Sequence, residues 1–210
     1  MRVFFDVDTQ NDFILAGGAL AVPGAEALVP ALTLLTDSAR RGNIRIFGSV
    51  DRHFGTAPYR DKEGELKRWN GPFPDHCMDG TEGQKKVAAT APRNPLWIPN
   101  TSVALRGIAE KAWAHDGEVI FEKQSYDVFH NPNAAEVLRR AEDAVVYGVA
   151  TDYCVRAVVL GLRKLGLKVV VVRDAIAAVE VNPGDGARAL NEMEQAGAVF
   201  MTAGEIIKAA

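Results

Sequence analysis

Ala144-Val145-Val146-Tyr147-Gly148-Val149, running on into Ala150-Thr151-Asp152-Tyr153-Cys154-Val155, reads as an apolar strand that stops abruptly and presents a thiol just past its end. Near the start of the chain, Val3-Phe4-Phe5-Asp6-Val7 runs in the same way into Asp8. Three further runs, 44–50, 118–122 and 168–173, are short, rich in Val, Ile and Phe, and mostly without polar alternation. Strands buried on both faces of a parallel sheet have this composition. Helical candidates alternate with them at 25–41, where Leu28, Leu32 and Leu35 supply an apolar face, and at 103–115, 133–140, 152–165 and 186–196. Residues 199–208 suggest a short edge strand followed by a terminal helix. The alternation predicts one domain over 1–210, a three-layer α/β/α fold with a doubly wound, mostly parallel, six-stranded Rossmann-like sheet. In such a sheet Asp8 and Cys154 both emerge at the carboxyl edge.

A chain of 210 residues, 48% of them hydrophobic, can bury a substantial core. Its 24 basic and 27 acidic residues leave a formal charge of -3, which offers no broad positive field for nucleic acid or anionic lipid. A small-molecule partner is expected instead. No signal-peptide pattern precedes the first strand, and no apolar run approaches the ~20 residues that cross a bilayer. With Cys77 and Cys154 as the only cysteines, a disulfide framework is not expected, and a cytoplasmic setting fits.

Residues 51–100 break the strand–helix rhythm. They hold Pro58, Pro72, Pro74, Pro92, Pro95 and Pro99 together with Trp69 and Trp97. A long irregular stretch inside a compact domain is commonly functional, and this one begins where a strand ends, over the carboxyl edge. Asp51-Arg52-His53 sets a carboxylate and an imidazole two apart, on the same side if the strand continues, and His76 follows. Such an Asp/His/His set suits Zn²⁺, Fe²⁺ or Mn²⁺. The same spacing also suits an aspartate that caps a turn beside two ordinary histidines.

Lys123, at the end of Val119-Ile120-Phe121-Glu122, should emerge at the same edge. There it would stabilise both a carboxylate and a thiolate, lowering the pKa of Cys154 and keeping Asp8 ionised. An isolated lysine in this position would simply be solvated, and an isolated Cys154 could equally be a small hydrophobe packing a helix on the sheet. Their co-location with Asp8 favours chemistry. Thr151 and Asp152 can cap the helix that follows, leaving Cys154 in its first turn, where unpaired amides favour a thiolate and can hold an oxyanion. Cys77 has no activating base nearby and is expected to be buried and inert.

Taken together these segments resemble a known family, the isochorismatase-like cysteine hydrolases, and within it most closely the nicotinamidases (pyrazinamidase/nicotinamidase). Asp8-Thr9-Gln10-Asn11-Asp12-Phe13 is similar to the family's opening motif, Gly148–Val155 to its nucleophile motif, and Lys123, with Tyr126 and Phe129 after it, to its lysine segment. The resemblance implies Asp8 as general acid/base, Lys123 as electrostatic partner and Cys154 as nucleophile. It also implies a cis peptide between Val149 and Ala150, and an oxyanion hole from the amides of Ala150 and Cys154. Asp51-Arg52-His53 and Phe73-Pro74-Asp75-His76-Cys77, followed by Gly80-Thr81-Glu82-Gly83, resemble the metal-binding segments of nicotinamidases, implying a divalent metal, zinc in first place, with iron or manganese as alternatives. Many nicotinamidases have a third histidine between these two; here none lies between His53 and His76, and Asp61, Glu63, Glu65 or water would fill its place. Phe13 and Phe73, with Tyr126 and Tyr153, stand where aromatic walls sandwich a pyridine ring; Phe129 is expected in the core. The resemblance also implies a homo-oligomer, NAD salvage, and hydrolysis of nicotinamide to nicotinate and ammonia through a thioester. Two alternatives remain open: a metal-independent hydrolase of another small amide, carbamoyl compound or vinyl ether, and a non-catalytic binding or redox-sensing protein.

Overall fold

The computed structural model describes residues 1–209. Seven parallel strands form one sheet: β1 (Arg2–Val7), β2 (Arg45–Asp51), β3 (Leu96–Ile98), β4 (Val119–Lys123), β5 (Asp143–Val149), β6 (Lys168–Ala177) and β7 (Val199–Met201). Their spatial order is β3-β4-β2-β1-β5-β6-β7. The chain starts in the middle, winds outward to one edge and then returns to wind toward the other, so the order reverses between β1 and β5. The crevice over the carboxyl ends of those two strands is where ligands bind in doubly wound sheets. The α/β architecture is the expected one, with seven strands in place of six. The additional strand is β3, three residues held between Pro95 and Pro99 within the stretch read as irregular.

Alternation along the strands sends side chains into two cores. Val3, Phe5 and Val7 of β1 join Ala144 and Val146 of β5 on one face, while Phe4 joins Val145, Tyr147 and Val149 on the other. The first face is covered by α3 (Ile108–Ala114), α4 (Ala134–Leu138), α5 (Arg156–Lys164) and α6 (Asp185–Gln195); the second by the short α1 (Asn11–Ile14), α2 (Val29–Arg41) and α7 (Ala203–Lys208). In α2, Leu32, Leu35, Thr36 and Ala39 make the buried stripe at helical spacing, and Arg40 and Arg41 sit in its last turn, where cations suit the helix dipole. Full burial of each leucine is worth about 1.5–3 kcal/mol.

Several boundaries differ from the sequence reading, each for a local reason. The helix expected over 25–41 is a 3₁₀ turn, Ala25–Leu28, followed by α2, which starts with Pro30 in its first turn. The one expected over 103–115 starts only at Ile108, after Gly107 in the left-handed region, and leaves Val103 exposed. The one expected over 152–165 opens as a π turn, Thr151–Val155, in which the Val155 amide donates to the Ala150 carbonyl at 3.0 Å, before α5 begins at Arg156. Phe129 is only partly buried, and its ring fills the space beside Gly161, where a Cβ would meet it at 1.9 Å. Among the described residues no helix is long and apolar enough to cross a membrane.

Candidate active site

The ends of β1, β2 and β4 are in register, with Val7 beside Ser49 and Asp51 beside Lys123, so their terminal side chains meet. Asp8 follows β1 with φ +47°, a left-handed turn that a non-glycine residue adopts at some cost. Gly148 of β5 passes so close that a Cβ there would lie 2.0 Å from the Val7 carbonyl oxygen, and its φ of +118° independently requires glycine. The Val149–Ala150 peptide is cis. Asp8, Lys123 and Cys154 meet in one buried cluster. Lys123 Nζ lies 2.9 Å from Asp8 Oδ2, donates to Cys154 Sγ at 3.4 Å and ion-pairs with Asp51. A carboxylate oxygen of Asp8, one of Asp51 and Cys154 Sγ all fall within 4.8 Å of one another.

The electrostatics differ from the sequence expectation at the thiol. Burial raises Cys154 well above the ordinary thiol range; Lys123 opposes this, and Asp8 and Asp51 add to it. The lysine therefore moderates the shift without reversing it. Lys123 itself is raised well above its usual value, because Asp51, Asp8 and Cys154 together outweigh its burial. Nor do Thr151 and Asp152 cap the helix. Asp152 turns away, and its carboxylate accepts from the amides of Val179 at 3.0 Å and Glu180 at 2.9 Å, fastening the loop after β6. Cys77 is buried, with its thiol raised by the same desolvation.

Beyond Asp51 the extended backbone continues to a bridge between His53 and Met78, so Asp51 and His53 both point inward while Arg52 points outward to Asp79 and Glu122. His53, Glu65 and His76 converge with Asp51, one ligand atom from each lying within 4.8 Å of the others. Glu65 Oε1 is 3.0 Å from His53 Nε2 and 3.6 Å from His76 Nε2. Of the three carboxylates considered for the missing histidine, Glu65 occupies the cluster. Glu63 is turned to the amides of Phe54 and Gly55, and Asp61 is exposed.

Although His53 Nε2 and Glu65 Oε1 lie 3.0 Å apart, neither ring nitrogen of His53 and neither oxygen of Glu65 has a partner in hydrogen-bonding alignment, a costly condition for buried groups that a cation shared by their lone pairs would relieve. His76 presents Nε2 to the cluster because Nδ1 is taken up by the Pro74 carbonyl at 2.7 Å, the outer contact typical of a ligating histidine. Two nitrogens and two carboxylates suit zinc, iron(II) or manganese(II). In the protein without a cation, burial, Asp8 and Glu65 raise Asp51 to about 6 despite Lys123, while the two imidazoles and Lys123 overcome burial to bring Glu65 down to about 2.

These two clusters share one narrow pocket with a cavity of about 30 Å³, lined by Phe13, Phe73, Tyr126 and Tyr153 above Ala150 and Cys154, with Asp51, Glu65 and His76 at one side. Phe73 meets Tyr153 edge-on at 5.3 Å, and Tyr126 lies 4.9 Å from Tyr153. One positioning residue was not singled out from the sequence. The Gln10 side chain accepts from the Asp51 amide at 2.7 Å and donates to the Asp51 carbonyl at 2.8 Å, tying the turn after Asp8 to the end of β2. Its place two residues after Asp8 in the opening motif was the available signal.

Residues 3–205 match the Isochorismatase domain family. The chain is 32% identical to the nicotinamidase of Escherichia coli (strain K12), over 96% of this chain and 94% of that one. It is 30% identical to the nicotinamidase/pyrazinamidase of Mycobacterium tuberculosis (strain ATCC 25618 / H37Rv), over 93% and 96% respectively. Among solved structures, the pyrazinamidase of Pyrococcus horikoshii in complex with zinc superposes with a TM-score of 0.73 at 27% identity, covering 96% of this chain and 98% of that one. The chain therefore belongs to the isochorismatase family, and it is a hydrolase.

Proposed function

We propose that this hydrolase, which acts on amide carbon–nitrogen bonds, is a nicotinamidase that converts nicotinamide and water to nicotinate and ammonia through a thioester on Cys154. The observation that carries this reading is one small aromatic pocket with a buried Asp8–Lys123–Cys154 cluster at its base and, at its side, a buried N₂O₂ donor set in which His53 and Glu65 lack aligned partners. The nicotinamidase relatives and the zinc complex of the Pyrococcus horikoshii enzyme support it.

Asp8 accepts the thiol proton as Sγ bonds to the carboxamide carbon, a transfer that the raised thiol pKa makes necessary. The developing oxyanion is held by the backbone amides of Ala150 and Cys154. Asp8 then returns its proton to the leaving nitrogen, the C–N bond breaks, and ammonia departs. Water enters and Asp8 takes one of its protons as the oxygen attacks the thioester carbon; Asp8 returns that proton to Sγ as the C–S bond breaks, restoring the thiol, and the carboxylic acid released ionises to the carboxylate. Lys123 stays charged throughout and holds Asp8 and Asp51 in place. Asp51, His53, Glu65 and His76 would hold a divalent cation, zinc being the first expectation, which supplies Lewis acidity toward a ring nitrogen or a water. Phe13, Phe73, Tyr126 and Tyr153 enclose the flat ring and exclude bulk solvent.

The test is ammonia release from nicotinamide by the metal-analysed protein, with Cys154→Ala and chelator-treated protein beside it. Release lost in both controls is expected. A cation-loaded protein that releases no ammonia from nicotinamide but does so from another small amide would overturn the substrate.

A further inference from the structure

The segments that bear His53, Glu65 and His76 meet a second time, on the outer side of the cation cluster, at one side chain. Arg68 donates Nε to Asp75 Oδ1 at 2.9 Å, pairs with Asp75 Oδ2 through Nη2, and donates Nη1 to the Gly55 carbonyl at 2.6 Å. Gly55 lies two residues after His53, Asp75 immediately before His76, and Arg68 three residues after Glu65. A Cβ at Gly55, whose φ is +63°, would come within 1.8 Å of Nη1 and push the guanidinium aside. The loop that carries Glu65 is closed tightly upon itself. Phe73 donates its amide to the Glu65 carbonyl at 3.0 Å, Lys67 donates to the Phe73 carbonyl at 2.6 Å, and Gly71 passes where a Cβ would touch the Glu65 backbone at 2.1 Å. His53 and the residues after His76 are already joined by the His53–Met78 bridge. Glu63 ties the start of the Glu65 loop to the amides of Phe54 and Gly55, and Arg68 is the side chain that reaches from this loop to the segments on both sides, at Gly55 and at Asp75.

We propose that Arg68 is a positioning residue for the cation site, a latch whose planar fork sets the distance from Glu65 to the two histidines. This inference rests on the reading of Asp51, His53, Glu65 and His76 as a cation site. It makes a prediction opposite in sign to simple electrostatics. Removing a nearby positive charge should strengthen cation binding, whereas releasing the latch should weaken it, because an outer contact that orients a ligand typically carries a 10- to 100-fold share of affinity. A lysine keeps the charge and loses the two-pronged grip on Asp75, so it cannot replace the arginine.

The experiment is a Co²⁺ titration of the full-length, metal-stripped protein against a competing chelator, following the visible absorption of bound cobalt, with far-UV circular dichroism as the folding control. The wild type, Arg68→Gln and Arg68→Lys are compared. Both variants are expected to bind Co²⁺ at least about 10-fold more weakly with an altered spectrum. Wild-type or tighter binding by Arg68→Gln, or wild-type binding by Arg68→Lys, would overturn the latch while leaving the cation site intact. If Arg68→Gln does not fold, the lysine variant alone decides. A wild type that binds no cobalt would overturn the cation reading itself, and the latch with it.

Discussion

Two lysines reach aspartates on the same strand segment, two residues apart, and their surroundings divide structure from chemistry. Lys86 lies 3.0 Å from Asp6 Oδ2 and within 3.3 Å of Thr9 Oγ1. Thr9 donates to Asp6 Oδ1 at 2.7 Å and meets Thr90 at 2.6 Å. Every charged group in that network has aligned partners. Lys123, equally buried, holds Asp8 at 2.9 Å, yet neither Asp8 oxygen has a partner in hydrogen-bonding alignment, and the remaining neighbour is a thiol. Native proteins rarely leave buried polar groups unsatisfied without a reason. The satisfied pair holds the turn after β1, and the unsatisfied one is the pair to which the proposed mechanism gives the proton transfer.

The largest expected effect lies on the Lys123 side. Cys154→Ala should lower ammonia release from nicotinamide by at least about 10⁴-fold, the scale for loss of a catalytic triad member, while thermal unfolding stays near wild type. Release within tenfold of wild type would break the comparison at its root. On the Lys86 side the effect should appear in stability. Lys86→Met leaves Asp6 buried without its counter-charge, which is expected to cost about 3–5 kcal/mol, read as a lower urea midpoint at unchanged slope. If Lys86→Met instead abolished turnover with the urea midpoint unmoved, the division between the two pairs would fail.

The difference between the pairs also marks where the sequence was legible. Strands β1, β2, β4, β5 and β6 were readable because both of their faces are buried, so apolar residues run almost without interruption. β3 was not, because Leu96-Trp97-Ile98 is too short for a pattern and stands between prolines. Asp8, Lys123 and Cys154 could be drawn together because each ends or follows a strand of a doubly wound sheet, a topological argument that needs no side-chain detail. Glu65 could be named only as one of three carboxylates. What selects it is the closure of the loop from Glu65 to Phe73, and that depends on Gly71 passing against the Glu65 backbone, a contact no spacing rule reveals. The lowering influence of Lys123 on the thiol was legible, but the net direction was not, since it is the sum of burial, one cation and three anions, and the sequence exposes the charges but not the desolvation.

A smaller effect sharpens the role of Glu65. Glu65→Gln keeps the side chain's shape and removes one anionic donor from the N₂O₂ set. Cation affinity, measured by competition with a chelator, is expected to fall about 10- to 100-fold, with circular dichroism unchanged. Unaltered affinity would mean that water, rather than Glu65, stands where many nicotinamidases have a third histidine.

The smallest effect is the most direct probe of the unsatisfied pair. Burial raises the Cys154 thiol well above 9, Asp8 and Asp51 push in the same direction, and only Lys123 pulls down. In metal-stripped protein, alkylation of Cys154 by iodoacetamide should therefore be slow at neutral pH and still rising beyond pH 9, since the thiolate is the reacting species. Lys123→Gln removes the lowering influence that touches the thiol directly, at 3.4 Å between Nζ and Sγ, so the alkylation profile should move to higher pH. A profile that stayed in place would show that Lys123 acts on Asp8 and Asp51 alone, and the thiol would owe its reactivity entirely to proton removal by Asp8.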